Sequence, residues 1–142
     1  MKTFRVILDT NVLVSGLRSK RGTSFRLLNL LDSGRLKISV SVPLVVEYEK
    51  ALLDSRVRIL LSREEIGKFL DYICAIADKR KIHFLWRPCL RDPKDDMVLE
   101  IGVAARCDAI ITFNARDFER AEQFGIRVIT PKQFLKILGE IE

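Results

Sequence analysis

Histidine is almost missing from this chain: His83 is the only one, and the three cysteines, Cys74, Cys89 and Cys107, stand far apart without a Cys-x-x-Cys pair. A structural zinc site needs several such ligands, and a Ser-His-Asp triad needs a placed imidazole, so both chemistries are disfavoured. An odd number of scattered cysteines makes no disulfide frame and fits reduced thiols in the cytoplasm. No apolar run approaches the roughly 18 residues of a membrane span, and no membrane association is expected. The first apolar run meets Asp9 too soon for a signal peptide. Internal repeats, linkers and low-complexity tracts are absent as well.

What is present points to a folded protein with a polyanionic partner. Hydrophobic residues make up 48% of 142 residues, enough for one domain over residues 1–142 with a sizeable core. Lys and Arg number 25 against 19 acids, a net charge of +6. Such an excess favours nucleic acid, although charge alone separates neither RNA from DNA nor either from an anionic membrane.

The chain is organised around Arg5–Gly16, RVILDTNVLVSG. Val6-Ile7-Leu8 reads as a buried strand that halts at Asp9-Thr10-Asn11 before apolar residues resume. Asp9 then either caps the following helix or stands at the mouth of an open sheet, where α/β proteins bind their ligands. Leu17–Thr23 reads as a basic loop, and Thr23 or Ser24 as the cap of a helix over Phe25–Asp32. Leu36–Val40 alternates as a second strand, and Ser41 caps a helix over Val42–Leu53 with Pro43 in its first turn. Residues 54–80 read as helical throughout, with Ser62 and Glu65 forming a capping box for Glu64–Asp78. Ile82–Leu85 is a weak third strand. A helix over Asp96–Arg106, a fourth strand at Ala109–Ile111, a short helix near Asp117–Gln123, a fifth strand at Arg127–Ile129 and a last helix over Lys132–Leu138 complete the pattern. Alternating strands and helices predict an α/β fold, three-layer α/β/α, around a central parallel sheet of about five strands.

Oxygen-bearing side chains recur where these strands end. The fourth strand runs into Thr112, Asn114 and Asp117, and Asp96 opens a nearly all-apolar helix with Glu100 one turn later. Buried acids are costly unless they are paired or bound to a cation, though Asp96 can also serve as a cap in a favourable dipole. Glu47 lies on the helix after the second strand, yet Glu49 falls within the apolar arc drawn by Val42, Val45, Val46 and Leu52. Periodicity does not choose between the two.

Four segments, LDTNVLVSG, VVEYEKAL, DPKDDMVLEIGVAA and ITFNARDF, resemble in order and spacing the PIN domain family, in particular its toxin-component branch related to VapC-type ribonucleases. The resemblance covers essentially the whole chain. It implies a PIN-like, Rossmann-like fold and catalytic, metal-ligating acids at Asp9, Glu47, Asp96 and Asp117, and it selects Glu47 over Glu49. Asn11, Thr112, Asn114 and Glu100 support them, and whether Asn114 or Asp117 lies nearer the metal stays open. Clustered carboxylates without histidine suit a hard cation, Mg²⁺ or Mn²⁺, able to activate water for attack on phosphorus. Arg18, Lys20, Arg21, Arg91, Lys94 and Arg116 flank the acids and can hold a phosphate backbone. The expected function is a metal-dependent endoribonuclease acting on RNA, and the resemblance further implies the toxin of a type II toxin–antitoxin pair, a homodimer with a small antitoxin partner.

Two other readings are weighed against it. A receiver-like signalling domain wants two acids after the first strand and an Asp after the third, where Thr10-Asn11 and Trp86-Arg87-Pro88 stand; a D-x-D-x-T phosphatase likewise fails at Asn11. A non-catalytic nucleic-acid-binding module keeps the fold without the chemistry, and the filled acid positions argue against it.

Overall fold

A computed structural model describes residues 2–80 and 93–142, with the Pro93 side chain outside the description. Five strands form one parallel sheet: β1 (Phe4–Leu8), β2 (Leu36–Val40), β3 (Asp78–Lys79), β4 (Ala109–Ile111) and β5 (Arg127–Ile129), in the order β3-β2-β1-β4-β5. Phe4 pairs with Leu36 on one side of β1, and Leu8 pairs with Ile111 on the other. The consecutive residues Val6, Ile7 and Leu8 are at most 1% exposed. Neighbours in a strand point to opposite faces, so both faces of the sheet are covered, as a three-layer α/β/α fold requires.

The helices are α1 (Thr10–Arg18), α2 (Thr23–Leu28), α3 (Val42–Leu53), α4 (Arg63–Ile76), α5 (Pro93–Ala104) and α6 (Pro131–Ile137). A kinked 3₁₀ segment, Ala115–Phe124, joins β4 to β5. Local chemistry sets most of their starts. Ser41 accepts the Leu44 N–H at the head of α3, and Ser62 with Glu65 closes a reciprocal capping box on α4. Thr130 and Gln133 do the same for α6, with Pro131 in the first helical position.

Several expectations need correction. Residues 54–62 are not helical: Asp54 ends α3, its carboxylate takes the Arg56 guanidinium, and the Leu60 N–H donates to the Leu17 carbonyl. Helix α4 stops at Ile76, so that Asp78–Lys79 can pair with Ser39–Val40 as β3. The weak strand expected at Ile82–Leu85 lies outside the described residues. Neither Thr23 nor Ser24 caps α2; Gly22 takes that position, and Ser24 is buried with its hydroxyl unpartnered among the described residues. Helix α5 begins at Pro93, which moves Asp96 from the expected start into the first turn beside Asp95. No helix among the described residues is long and apolar enough to cross a membrane.

The strand order opens a crevice at one end of the sheet. The chain lays down β1, β2 and β3 in one direction, then returns to place β4 on the other side of β1. The crossovers therefore diverge between β1 and β4, opening a gap beyond their carboxyl ends.

Candidate active site

Beyond Leu8, the chain turns straight into α1, and Asp9 occupies the N-cap position with extended backbone. One carboxylate oxygen accepts the Thr10 N–H at 2.9 Å, and the other accepts the Thr112 hydroxyl at 2.7 Å. The two sequence readings of Asp9 therefore coexist: it caps a helix, and it faces the crevice. Thr112, fully buried just past β4, also accepts the Asn114 N–H at 3.0 Å. Asn11 reaches across the same gap to accept the Phe113 N–H at 3.4 Å. These bonds tie the ends of β1 and β4 and set the Asp9 carboxylate in one orientation.

Helix α3 supplies the third wall. Tyr48 is buried, and its hydroxyl donates to the Leu8 carbonyl at 2.5 Å, one residue before Asp9. Burial and then the Asp9 charge push the phenol well above its usual range, which keeps it a proton donor. This bond holds α3 against the end of β1 and brings Glu47, the neighbouring residue, to the pocket. Glu47 is partly covered and pairs with Lys94 at 3.1 Å, whereas Glu49 is exposed. The apolar arc misled here because Val42 and Val46 are 78% and 46% exposed; the buried face runs through Leu44, Tyr48 and Leu52.

The resulting pocket encloses about 680 Å³. Its wall includes Asp9, Asn11, Glu47, Asn114 and Asp117, with Arg18 and Lys94 among the expected phosphate-holding cations. Asp95, which the sequence reasoning passed over, also lines it; its only signal was its place beside Asp96. Asp96 and Glu100 are buried on α5 and stand outside the pocket wall, as does Thr112. Lys20 and Arg21 are exposed beyond α1, Arg116 lines a separate shallow hollow with Glu119 and Glu122, and Arg91 lies outside the described residues. Tyr48 was likewise missed as a positioning group.

Among the described residues, no three acidic, histidine or cysteine side chains converge tightly enough to form a finished metal cage. The donor set is nonetheless that of a hard cation: carboxylate and amide oxygens, with no histidine or thiol on the wall among the described residues. A cation that keeps several waters needs only one or two direct carboxylates. The residues present thus fit a partly hydrated divalent ion rather than a fully caged one.

A family model described as PIN domain matches residues 5–116. No curated protein matches the sequence. Among solved structures, VapBC2 from Rickettsia felis bound to a DNA fragment from their promoter is similar, with a TM-score of 0.58 and 16% identity over 87% of this chain and 98% of that one. VapBC-1 from nontypeable Haemophilus influenzae gives a TM-score of 0.59 and 14% identity over 90% of this chain and 98% of that one. At such identities both are likenesses of fold.

Proposed function

The chain belongs to the PIN domain family, whose members are generally nucleases that use divalent metal ions, and from that premise we propose that it is an endoribonuclease cutting single-stranded RNA with Mg²⁺ or Mn²⁺. The observation that carries this reading is the Asp9 carboxylate, anchored by Thr10 and Thr112 in a pocket that Glu47, Asn114 and Asp117 also border. Asp9, Glu47 and Asp117 would hold the ion from the pocket wall and Asp96 from its buried place on α5, supported by Asn11, Thr112, Asn114 and Glu100. When bound, the ion supplies an activated water and offsets charge on the leaving oxygen. The rest of the work falls to the chain. Thr112 fixes the Asp9 carboxylate before substrate arrives, so little reorganisation is needed. Lys94 offsets the charge of Glu47 and, with Arg18, presents a cation to the phosphates of an entering strand. Lys20 and Arg21, exposed beyond α1, would extend that contact, and Arg91 and Arg116 are further proposed phosphate contacts.

The likeness to VapBC structures supports a toxin role with an antitoxin partner, and a homodimeric, cytoplasmic, single-domain protein over residues 1–142 completes the proposal. The deciding experiment is cleavage of a labelled single-stranded RNA. Cutting is expected with Mg²⁺ or Mn²⁺ and none in excess EDTA; cutting that persists in EDTA overturns the mechanism.

The absence of three converging acids among the described residues favours one alternative, a non-catalytic RNA-binding module. In that case the native protein cuts nothing under any metal, and Asp9→Asn tightens RNA binding by removing negative charge from the pocket.

A further inference from the structure

The segment that follows β4 sends its two phenylalanines to opposite places. Phe118 is fully buried, whereas Phe113 is 45% exposed at the carboxyl end of the sheet. Phe113 stands between Thr112, whose hydroxyl holds Asp9, and Asn114, which borders the acidic pocket. Its ring lies at the rim, outside the pocket wall, and makes no ring–ring or cation contact among the described residues.

A single exposed ring is ordinary on a protein surface. This one is set apart by its place and by how it is held. The Phe113 N–H donates to the Asn11 side chain at 3.4 Å, and the Asn114 N–H donates to the Thr112 hydroxyl at 3.0 Å. The same Thr112 hydroxyl is 2.7 Å from the Asp9 carboxylate. The backbone that carries the ring and the acid that carries the proposed chemistry are therefore fixed in one frame. A group fixed in advance loses little freedom when a ligand arrives.

Asn114 adds a second observation. It occupies the N-cap of the 3₁₀ segment, yet its side chain caps nothing there. Asparagine at that position ordinarily accepts a backbone N–H. Its amide lines the pocket instead, and it carries a donor and an acceptor suited to a base edge or a ribose hydroxyl.

An RNA strand that crosses the pocket brings bases as well as phosphates to this end of the sheet. The acids suit an ion, and Arg18, about 10 Å along α1 from Asn11, suits a phosphate. Neither makes use of a base. The Phe113 ring does, because every base has a face to stack. An apolar side chain of a protein partner would cover the ring but leave the Asn114 amide unused, and the net charge of +6 favours the polyanion.

We propose that Phe113 stacks on the base of a nucleotide adjoining the phosphate at Asp9. The ring thereby selects single-stranded RNA, whose bases are open to it, over a duplex, whose bases are stacked on one another. This inference rests on the part of the nuclease reading that lays an RNA strand across the pocket.

The test is binding of a fluorescein-labelled ten-nucleotide RNA to the whole protein, read by anisotropy in EDTA so that no metal-dependent cut intervenes. Phe113→Leu keeps apolar bulk without a stacking face, and it is expected to weaken binding about tenfold or more. Phe113→Trp keeps a face and is expected to retain native affinity. Its added indole fluorescence, read against the wild-type protein, is expected to be quenched by the unlabelled RNA. A duplex of the same sequence is expected to bind wild type and Phe113→Leu equally. Native affinity of Phe113→Leu for the single strand, an equal loss on the duplex, an unquenched indole, or a wild-type protein that binds no RNA each overturns the proposal. The two readings fail separately. Binding that Phe113→Leu weakens, in a protein that cuts with no metal, counts against the nuclease alone; metal-dependent cutting with full binding by Phe113→Leu counts against the stacking site alone.

Discussion

At the carboxyl ends of the strands, Asp9, Glu47, Asp95 and Asp117 border one pocket, whereas at the amino ends Lys2, Arg106 and Arg127 border another. Among the described residues, acids thus predominate at one end, beside Arg18 and Lys94, and cations at the other, beside Asp108. Strand polarity is the physical cause. In a parallel sheet every connecting helix starts near the carboxyl ends, offering unpaired N–H groups, and finishes near the amino ends, offering unpaired carbonyls. Asp9 caps α1, and Asp95 and Asp96 sit in the first turn of α5. At the other end, Arg5 donates to the Ala105 carbonyl after α5, Lys37 to the last carbonyl of α4 at Ile76, and Arg35 to the Leu138 carbonyl after α6. The difference teaches that the acidic pocket grows out of the fold's own polarity, a charge pattern the helices already favour and the proposed catalysis would exploit.

Four substitutions can break or sharpen this contrast. The largest effect is expected from Asp9→Asn at the acidic end. Asparagine keeps an acceptor for Thr10 and a partner for Thr112, so the fold stays intact, but the charge needed for the ion is gone. RNA cleavage should fall by about a hundredfold or more at unchanged thermal stability, and a near-native rate in a single-turnover assay means the site lies elsewhere. Thr112→Val comes next, since it removes the hydroxyl that orients Asp9 and leaves the Asn114 N–H unpaired. Denaturant melts should show a loss of about 1–3 kcal/mol, with a roughly tenfold slower rate from the loosened carboxylate.

The amino end should answer differently. Arg5→Met keeps the apolar stem but strands the Ala105 carbonyl and removes one of the guanidinium partners of Asp78, which keeps Arg80. Because the guanidinium is partly exposed, the loss should be about 1 kcal/mol. The cleavage rate per folded molecule should stay native; a rate that falls with stability breaks the division between the two ends. The smallest effect is Arg106→Gly, which relieves the left-handed backbone and should raise stability by about 0.5 kcal/mol. A destabilised variant in the same melts shows that the arginine contributes more to the fold than its backbone costs.

Much of the framework around the pocket was legible because it obeys local rules. The run Val6-Ile7-Leu8 ending at Asp9 gave a strand and its terminal acid, and Ala109–Ile111 ending at Thr112 gave the second; both lie where expected. Ser41, Ser62 and Thr130 announced their helices for the same reason, since a cap is decided within four residues. Glu47 was not legible from periodicity: Val42 and Val46 look like core and are exposed. Nor was Asp95, whose placement depends on α5 starting three residues earlier than its apolar pattern suggested.

Residue order by itself determined the alternation of strands and helices, the caps and the acids that follow the strands, because each depends on neighbours a few positions apart. Only the tertiary structure decided which of those acids share a pocket. That choice rests on contacts between distant segments: β4 settling against β1 so that Thr112 meets Asp9, 103 positions away, and Tyr48 reaching the Leu8 carbonyl to swing Glu47 inward. Such bonds exist only after chain closure, when the entropy of bringing remote segments together has been offset by burying the core between them.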